Sequence, residues 1–387
     1  MKFSKFVTLN LGIKKNNSDG LLIILADQSI TSLVFTLNKF PAAPVVASKN
    51  NISKSNPKYI FINSGNANAC TGKEGNNNVK IILKLLSKRL KCKPSEIIIM
   101  STGIIGRQLP INNIIKSITN TAMNNYSNIS EAAKSIMTTD KYPKYLTKSY
   151  KINAKEILFK GICKGAGMIE PNMATMLGFI ETNVSINSRN LNRYLKYCVD
   201  LSFNSISVDG DTSTNDCVAL TSTNQISLDL SKKSIERKFL ECALDFFISL
   251  STLIVRDGEG GTKVIKLEVI NVKNKNLAQE ICKKVSHSLL VKTAMYGEDP
   301  NWGRIIASLG SIESSITNVK KIKLLINNIL CFEKGTSKNN VSSKLKKSMK
   351  KNNITITIDL QNGSHNKTAY FSDLSHEYVD INSKYTT

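Results

Sequence analysis

The sequence has 387 residues, is 41% hydrophobic and carries a formal net charge of +24. This length is enough for two or more lobes with sizeable cores. No apolar run reaches the roughly 20 residues that a membrane-spanning helix needs, and the start at Met1–Phe6 lacks the apolar core of a signal peptide. We therefore expect a folded cytoplasmic protein with no membrane partner.

The high positive charge raises the question of nucleic-acid binding, but its distribution along the chain argues against it. Lysines are scattered among Asn and Ile residues, and the densest cluster, Lys344–Lys351, contains no aromatic residue on which a base could stack. We expect a solvated basic surface that can steer acidic substrates, and no nucleic-acid partner. A basic nucleic-acid binder stays open as the non-enzymatic alternative, which a salt-dependent DNA-binding isotherm would distinguish.

The first half of the chain predicts a sheet covered by a helix. Short apolar runs at 21–25, 59–62 and 97–100 are each followed by polar or glycine-containing turns, as buried strands are. Between the last two runs, apolar residues recur at the spacing of one helix face: Val79, Ile82, Leu83, Leu86 and Leu90. We expect this helix to pack on the sheet.

The second half continues the mixture of helices and strands. We predict helices near 191–201, 234–250 and 277–291, and strands near 264–272 and 322–332. Residues 354–360 alternate Ile or Leu with Thr or Asp, which is the period of a half-buried strand. The polar stretches 50–57 and 337–353 are expected to be exposed loops. The predicted fold class is therefore α/β, with a sandwich-like architecture.

The cysteines and histidines form no metal-binding or catalytic pattern. The eight cysteines include no CxxC pair, and the three histidines form no HExxH motif. We expect reduced, mostly buried thiols, no bound metal and no Ser/His/Asp triad. The chemistry must therefore use other groups.

The most informative segment is Lys164–Leu177, KGAGMIEPNMATML, which places a threonine after a small residue behind a glycine-rich turn. If the peptide bond between Ala174 and Thr175 breaks, Thr175 carries a free α-amine beside its own hydroxyl and combines a nucleophile with a general base. An α-amine titrates at roughly 7.7–8.0, so it can accept a proton near neutral pH. The residues alone leave a second interpretation open, an ordinary turn among core methionines.

This segment resembles the cleavage site of the ornithine acetyltransferase family of arginine biosynthesis, also called bifunctional glutamate N-acetyltransferases. The family pattern is close to K-G-[SA]-G-M-I-x-P-N-M-A-T-M-L. Further blocks resemble those of the family in the same order: Asn63–Gly72, Ser101–Gly106, Thr138–Asp140, Ser207–Asp216, Asp257–Gly260, Asp299–Arg304 and Tyr378–Asn382. The resemblance therefore covers nearly the whole chain.

The resemblance implies a self-cleaved N-terminal-nucleophile enzyme with helices packed around β-sheets in two lobes. Residues 1–174 would form an α chain, the N-terminal lobe with the oxyanion hole, and residues 175–387 a β chain that begins with the nucleophile. The implied activity is transfer of an acetyl group from N2-acetyl-L-ornithine to L-glutamate through an acetyl-Thr175 intermediate. No cofactor is implied, although some family members also use acetyl-CoA as a donor. The two fragments are expected to associate as a heterotetramer with two copies of each.

The resemblance also assigns roles to individual residues. Thr175 is the nucleophile, Thr102 and Gly103 form the oxyanion hole, and the cleaved bond joins Ala174 to Thr175. The implied substrate-binding residues are Thr138, Lys164, Thr175, Glu259, Asn382 and Thr387. Lys164 suits a substrate carboxylate, and Glu259 suits the side-chain ammonium of ornithine. A self-processing aminopeptidase or amidohydrolase stays open as the alternative, with water as the acceptor and free acetate as the product.

Overall fold

A computed structural model of the protein describes residues 3–15, 18–170, 176–312, 318–338 and 342–384. The strands in these ranges are β1 (Lys5–Leu9), β2 (Gly20–Ile24), β3 (Ile30–Phe35), β4 (Tyr59–Asn66), β5 (Ile97–Ile104), β6 (Lys144–Ile152), β7 (Lys155–Lys164), β8 (Leu177–Val184), β9 (Ile206–Ser207), β10 (Cys217–Ile226), β11 (Val264–Val272), β12 (Lys323–Ile326), β13 (Ile329–Glu333), β14 (Thr336–Ser337), β15 (Asn353–Asp359) and β16 (His365–Ser372). The helices are α1 (Ala43–Ile52), α2 (Gly72–Leu90), α3 (Ile111–Asn120), α4 (Ile129–Ser135), α5 (Ser188–Asp200), α6 (Lys233–Arg256), α7 (Lys275–Ser286), α8 (Leu289–Tyr296), α9 (Trp302–Gly310), α10 (Ser342–Met349) and α11 (His376–Lys384). None of the helices in these ranges is long and apolar enough to cross a membrane.

The described chain divides into two compact units. The first contains the residues up to Asn204 together with Asp211–Ile254, and the second contains Ser205–Gly210 and the residues from Val255 onward. The segment Asp211–Ile254 adds β10 and most of α6 to the first unit. The first unit therefore contains residues on both sides of position 174. The expected division into an α chain of residues 1–174 and a β chain of residues 175–387 stays a prediction.

Two sheets pack face to face in the first unit. One is four-stranded with the order β1-β2-β4-β5, and the other is five-stranded with the order β3-β10-β8-β7-β6. Their facing apolar side chains form one core, which includes Ile62 and Met100 from the first sheet and Phe179 and Ala219 from the second. The predicted α/β class and sandwich-like architecture are confirmed.

Helices cover the outer faces of this sandwich. Four of the apolar residues that predicted a helix, Val79, Ile82, Leu83 and Leu86, are buried on α2 in a core shared with Phe61 of β4. Full burial of a side chain of this size contributes about 1.5–3 kcal/mol. On the other sheet, the ring of Phe246 in α6 stacks on that of Phe159 in β7, with the centroids 5.5 Å apart. The prediction that a helix covers the first sheet is confirmed.

The second unit is built on a seven-stranded sheet with the order β14-β13-β12-β15-β11-β16-β9. On β15, Ile354, Ile356 and Ile358 are buried in a core shared with residues of α7, α8 and α9. Thr355 and Thr357 alternate with them and are half-buried. The period of two in the sequence therefore predicted this strand and its buried face correctly.

Two elements of the second half differ from the prediction because short polar turns interrupt them. The helix expected over 277–291 is two helices, α7 and α8, and the side chain of Ser288 caps the second by accepting the N–H of Val291. The strand expected over 322–332 is a hairpin of β12 and β13. Asn327 and Asn328 turn this hairpin with positive φ angles of 49° and 61°, which match the right-handed twist of paired strands.

The two expected loops also contain helical residues. The stretch 337–353 holds α10, whose Leu345 and Met349 lie one turn apart and are buried, so the loop prediction is wrong for this described part. Residues 50–52 form the end of α1, and the Asn51 side chain is buried and donates to the carbonyl oxygen of Ile97. In both cases a few buried side chains outweigh the polar composition of the segment.

Candidate active site

Thr102 and Gly103, the predicted oxyanion-hole residues, lie near the end of β5, where it pairs with β4. These parallel strands pair Ser64 with Thr102 and Gly65 with Gly103. The φ of Gly103 is +127°, and a Cβ at this position would lie 2.3 Å from the carbonyl carbon of Gly65. Glycine is therefore required here because the two backbones approach so closely. The same geometry leaves Thr102 buried at the strand end.

Asn215, from the Ser207–Asp216 block, fixes the residue before Thr102. Its Nδ2 donates to the carbonyl oxygens of Ala67 and Ser101 at 2.7 and 3.0 Å. The Ser101 hydroxyl in turn donates to the carbonyl oxygen of Ala67 at 2.6 Å. A buried donor or acceptor without a hydrogen-bond partner destabilises the folded state. This network therefore holds the end of β5 in the one conformation that satisfies all of its groups.

Lys164, a predicted substrate-binding residue, lies next to Thr102. It is the last residue of β7, it is buried, and its Nζ donates to Thr102 Oγ1 at 3.1 Å. An ammonium group can only donate, so Thr102 Oγ1 accepts, and its own O–H can be directed at another oxygen. A buried cation beside an orientable hydroxyl is suited to a developing negative charge.

Asp140 organises the loop that carries Thr138. Its carboxylate accepts the N–H of Thr138 at 2.8 Å and the N–H of Gly165 at 2.7 Å. It also accepts from Lys144 Nζ at 2.6 Å in a fully buried ion pair. Burial alone would raise the pKa of Asp140, but the ammonium groups of Lys164 and Lys144 outweigh it and lower the pKa to about 2. The carboxylate is therefore ionised and ties Thr138 to the turn after Lys164.

In the second unit, two more predicted residues contact each other. Asn382 Nδ2 on α11 donates to Glu259 Oε2 at 2.9 Å. Glu259 is buried in the loop before β11, next to Gly260, whose φ is +67°. A Cβ at Gly260 would lie 2.3 Å from the backbone nitrogen of Tyr378, so glycine lets α11 approach this loop. The helix near the C-terminus thus lies against the Glu259 carboxylate.

Ala174, Thr175 and Thr387 lie outside the described residues, whereas Lys164 and Met176 lie within them. Lys164 of β7 pairs with Leu177 at the start of the antiparallel β8. Met176, directly after Thr175, donates its N–H to Asp216 Oδ1 at 2.9 Å. Its carbonyl oxygen accepts the N–H of Cys217 at 3.2 Å.

Sequence reasoning missed three charged residues of this region: Asp140, Lys144 and Lys14, whose Nζ donates to the carbonyl oxygen of Met137 directly before Thr138. Asp140 was part of a family block, but a role was assigned only to Thr138 in it. The two lysines are among 53 basic residues, and nothing in their immediate neighbours marks them. Asp216 was also part of a block without an assigned role. All eight cysteines are described and are free thiols, five of them buried.

No group of three or more His, Cys, Asp or Glu side chains in the described part of the chain is arranged to hold a metal ion. In the first unit, a buried lysine at the end of β7 lies beside a threonine hydroxyl near the end of β5, where a glycine follows the threonine. These are groups that stabilise an oxyanion in acyl transfer. The fold and this site therefore define a mixed α/β protein with the groups of an acyl-transfer enzyme.

Comparison with known proteins shows the family to which the chain belongs. The ArgJ family matches residues 5–387. The mitochondrial arginine biosynthesis bifunctional protein ArgJ of Dictyostelium discoideum is 40% identical over 98% of this chain and 91% of its own length. The ArgJ protein of Caldanaerobacter subterraneus is 37% identical over 97% of this chain and 95% of its own length. The crystal structure of ArgJ from Bacillus halodurans aligns with a TM-score of 0.50 and 31% identity over 54% of this chain and 98% of that one.

The chain belongs to the ArgJ family. The resemblance in its motifs is confirmed, since the match extends from β1 past the last described helix.

Proposed function

We propose that this protein is an acetyltransferase of arginine biosynthesis that moves the acetyl group of N2-acetyl-L-ornithine to L-glutamate. The products are L-ornithine and N-acetyl-L-glutamate. The observation that carries the proposal is the hydrogen bond between Lys164 and Thr102, in a chain that matches the ArgJ family over residues 5–387. It joins a predicted substrate-binding residue to a predicted oxyanion-hole residue that lies 62 positions away.

The reaction requires a free amine on Thr175. Hydrolysis of the peptide bond between Ala174 and Thr175 supplies it, with water adding across the bond. The Thr175 hydroxyl then attacks the acetyl carbonyl carbon while its proton passes to the Thr175 amine. The carbon–nitrogen bond of acetylornithine breaks, ornithine leaves with that proton, and an acetyl ester remains on Thr175.

The second half-reaction reverses these roles. The α-amine of glutamate attacks the ester carbon and gives up a proton to the Thr175 amine. The bond to Thr175 Oγ1 breaks, and that oxygen takes the same proton from the amine. Each tetrahedral intermediate carries an oxyanion, for which the Thr102 hydroxyl and the backbone N–H groups at Thr102 and Gly103 are the proposed donors. Thr138 and Lys164 would bind the substrate backbone, and Glu259, Asn382 and Thr387 the remainder of the ligand.

Several further expectations belong to the same proposal. The α and β fragments remain associated as a heterotetramer in the cytoplasm, and small amino acids are the only ligands that the transfer requires. Acetyl-CoA as a second acetyl donor for glutamate is an extension of this activity. An assay with acetyl-CoA and glutamate in place of acetylornithine tests it directly.

The test is the intact mass of the purified protein before and after incubation with acetylornithine in the absence of glutamate. The wild-type protein should give two fragments that break between Ala174 and Thr175, and the β fragment should gain the mass of one acetyl group. Thr175→Ala should remain a single unacetylated chain, whereas Thr175→Ser keeps a hydroxyl and should retain part of both reactions. An uncleaved wild-type chain that transfers acetyl would overturn the mechanism. When glutamate is added in a second incubation, release of acetate without acetylglutamate would indicate the amidohydrolase.

A further inference from the structure

Lys14 lies at the candidate active site of the first unit although no motif pointed to it. After β1 the chain is held by the buried carboxylate of Asp19, which accepts the backbone N–H of Ile13 at 2.6 Å and that of Lys14 at 2.8 Å. A third N–H, from Leu11, is bound to the same carboxylate. The backbone of Lys14 is therefore fixed in position, so its side chain starts from a defined point.

The side chain of Lys14 runs over the strand pair that carries the oxyanion-hole residues. A Cβ at Gly65 would lie 2.8 Å from Lys14 Cγ, so the lysine stem rests on the backbone of Gly65. Gly65 pairs with Gly103 in the β4–β5 register. At its far end, Lys14 Nζ donates to the carbonyl oxygen of Met137 at 3.0 Å, directly before Thr138. The ammonium thus lies among the residues proposed to bind substrate.

The charges around Lys14 leave this site attractive to an anion. Asp140 is in a buried ion pair with Lys144, and the Asp19 carboxylate is occupied by three backbone N–H groups. Burial lowers the pKa of Lys14, and the charge of Lys164 acts in the same direction, while Asp19 and Asp140 oppose both. Two ammonium groups that influence each other in this way favour a carboxylate bound nearby. In the described part of the chain, Lys14 uses one of its three N–H donors.

We propose that Lys14 binds the side-chain carboxylate of a dicarboxylic acceptor amino acid, and so distinguishes the acceptor from the donor. This inference rests on the proposed acetyl transfer to glutamate. Donor and acceptor share an α-carboxylate, which Lys164 can bind in both half-reactions. Only the acceptor carries a second carboxylate, and Lys14 supplies a second cation for it. The same cation repels the side-chain ammonium of ornithine, which must be bound elsewhere.

The experiment compares two acceptors in the full-length, self-cleaved enzyme. Lys14→Met preserves the stem that rests on Gly65 and removes the charge, while Lys15→Met removes the charge of the exposed neighbour. For Lys14→Met, the KM for glutamate should rise roughly 10- to 100-fold, the effect of losing one charged hydrogen bond. The KM for glutamine as acceptor and the rate of ornithine release should change far less. Lys15→Met should behave as wild type, and Lys14→Arg should keep the preference for glutamate.

The results distinguish failure of the proposed role of Lys14 from failure of the proposed function. Equal losses with glutamate and glutamine, or an unchanged KM for glutamate in Lys14→Met, overturn the role of Lys14. If the wild-type enzyme releases no ornithine from acetylornithine, the proposed function itself fails. If Lys14→Met does not fold, inhibition of the wild-type enzyme decides instead. In that case glutarate, a dicarboxylate, should compete with glutamate about tenfold better than butyrate, and equal inhibition by the two overturns the inference.

Discussion

The carboxyl group of Asp216 accepts the backbone N–H of Met176 at 2.9 Å, one residue after Thr175. Its other oxygen, Oδ2, is buried and has no hydrogen-bond partner among the described residues. Burial raises the pKa of Asp216 well above its usual range, although the N–H of Met176 and the charge of Lys164 act in the opposite direction. A buried carboxyl group with a raised pKa thus fixes the start of β8 next to the proposed nucleophile.

Two replacements of Asp216 should distinguish the effect of its hydrogen bond on stability from the effect of its titration. In a Thr175→Ala background, Asp216→Ala leaves the N–H of Met176 buried without an acceptor and should lower the free energy of unfolding by about 1–3 kcal/mol. Asp216→Asn keeps an acceptor oxygen and should cost less. Because the folded-state pKa is raised, the contribution of Asp216 to stability falls as the pH rises from about 4 towards that pKa. The melting temperature of Asp216→Asn, relative to that of the parent protein, should therefore be higher at pH 8 than at pH 5. The same difference in melting temperature at both pH values would contradict the raised pKa.

Asp140→Asn should be strongly destabilising because it leaves the buried ammonium of Lys144 without its counter-charge. Loss of one partner of a buried ion pair costs about 3–5 kcal/mol. The matched control is Lys148→Met, which breaks the more exposed pair with Asp245 and should cost about 0–1 kcal/mol. Urea unfolding in the Thr175→Ala background measures both, and a similar small loss in the two variants would refute the structural role of Asp140.

The same carboxylate predicts a pH dependence of the opposite sign to that of Asp216. The pKa of Asp140 is lowered to about 2, so its stabilising contribution is complete above about pH 4 and is lost as the pH falls towards 2. The parent protein should lose stability more steeply than Asp140→Asn over this range. Parallel acid-unfolding curves would contradict the lowered pKa of Asp140 in the folded state.

Gly103→Ala and Gly106→Ala form a matched pair at the end of β5. Both glycines have positive φ, and an added Cβ should cost about 1–2 kcal/mol of backbone strain in each. At Gly103 the Cβ would also meet the backbone of Gly65, whereas a Cβ at Gly106 would have no atom of the described residues within 4 Å apart from its chain neighbours. Gly103→Ala should therefore lower kcat by at least ~100-fold or prevent folding, and Gly106→Ala should keep most activity. Equal kcat in the two variants would mean that the strand end does not position the oxyanion donors.

Glu259→Gln should affect the donor more than the acceptor. Gln keeps an oxygen that can accept from Asn382 but removes the charge proposed to bind the ornithine ammonium. The KM for acetylornithine should rise roughly tenfold, with a smaller change in the KM for glutamate. Glu298→Gln, which alters a half-exposed carboxylate paired with Lys263, is the control and should leave both values near wild type. Equal loss with both substrates would exclude a specific role for Glu259 in binding the ammonium.

The sequence by itself determined the fold class, many individual elements and the family. The helical spacing from Val79 to Leu86 and the alternation over 354–360 are local patterns, and both elements formed where the patterns predicted them. Local turn chemistry was also present at Asn327–Asn328 and at Ser288, but a continuous apolar pattern on either side obscured it. The periodicity of apolar residues predicts which face of an element is buried, because the backbone geometry of a helix or strand places side chains of a fixed spacing on the same face.

Only the tertiary structure decided which distant residues meet. Lys14 Nζ contacts the carbonyl oxygen of Met137, 123 positions away, because β1, β2, β4 and β5 pair in one sheet and bring the start of the chain beside the end of β5. Asn215 reaches Ser101 across 114 positions for the same reason, since β10 enters the sheet that packs on the first. Sheet order and register set these contacts. They depend on the joint packing of many segments, whereas a motif in the sequence records only neighbours along the chain.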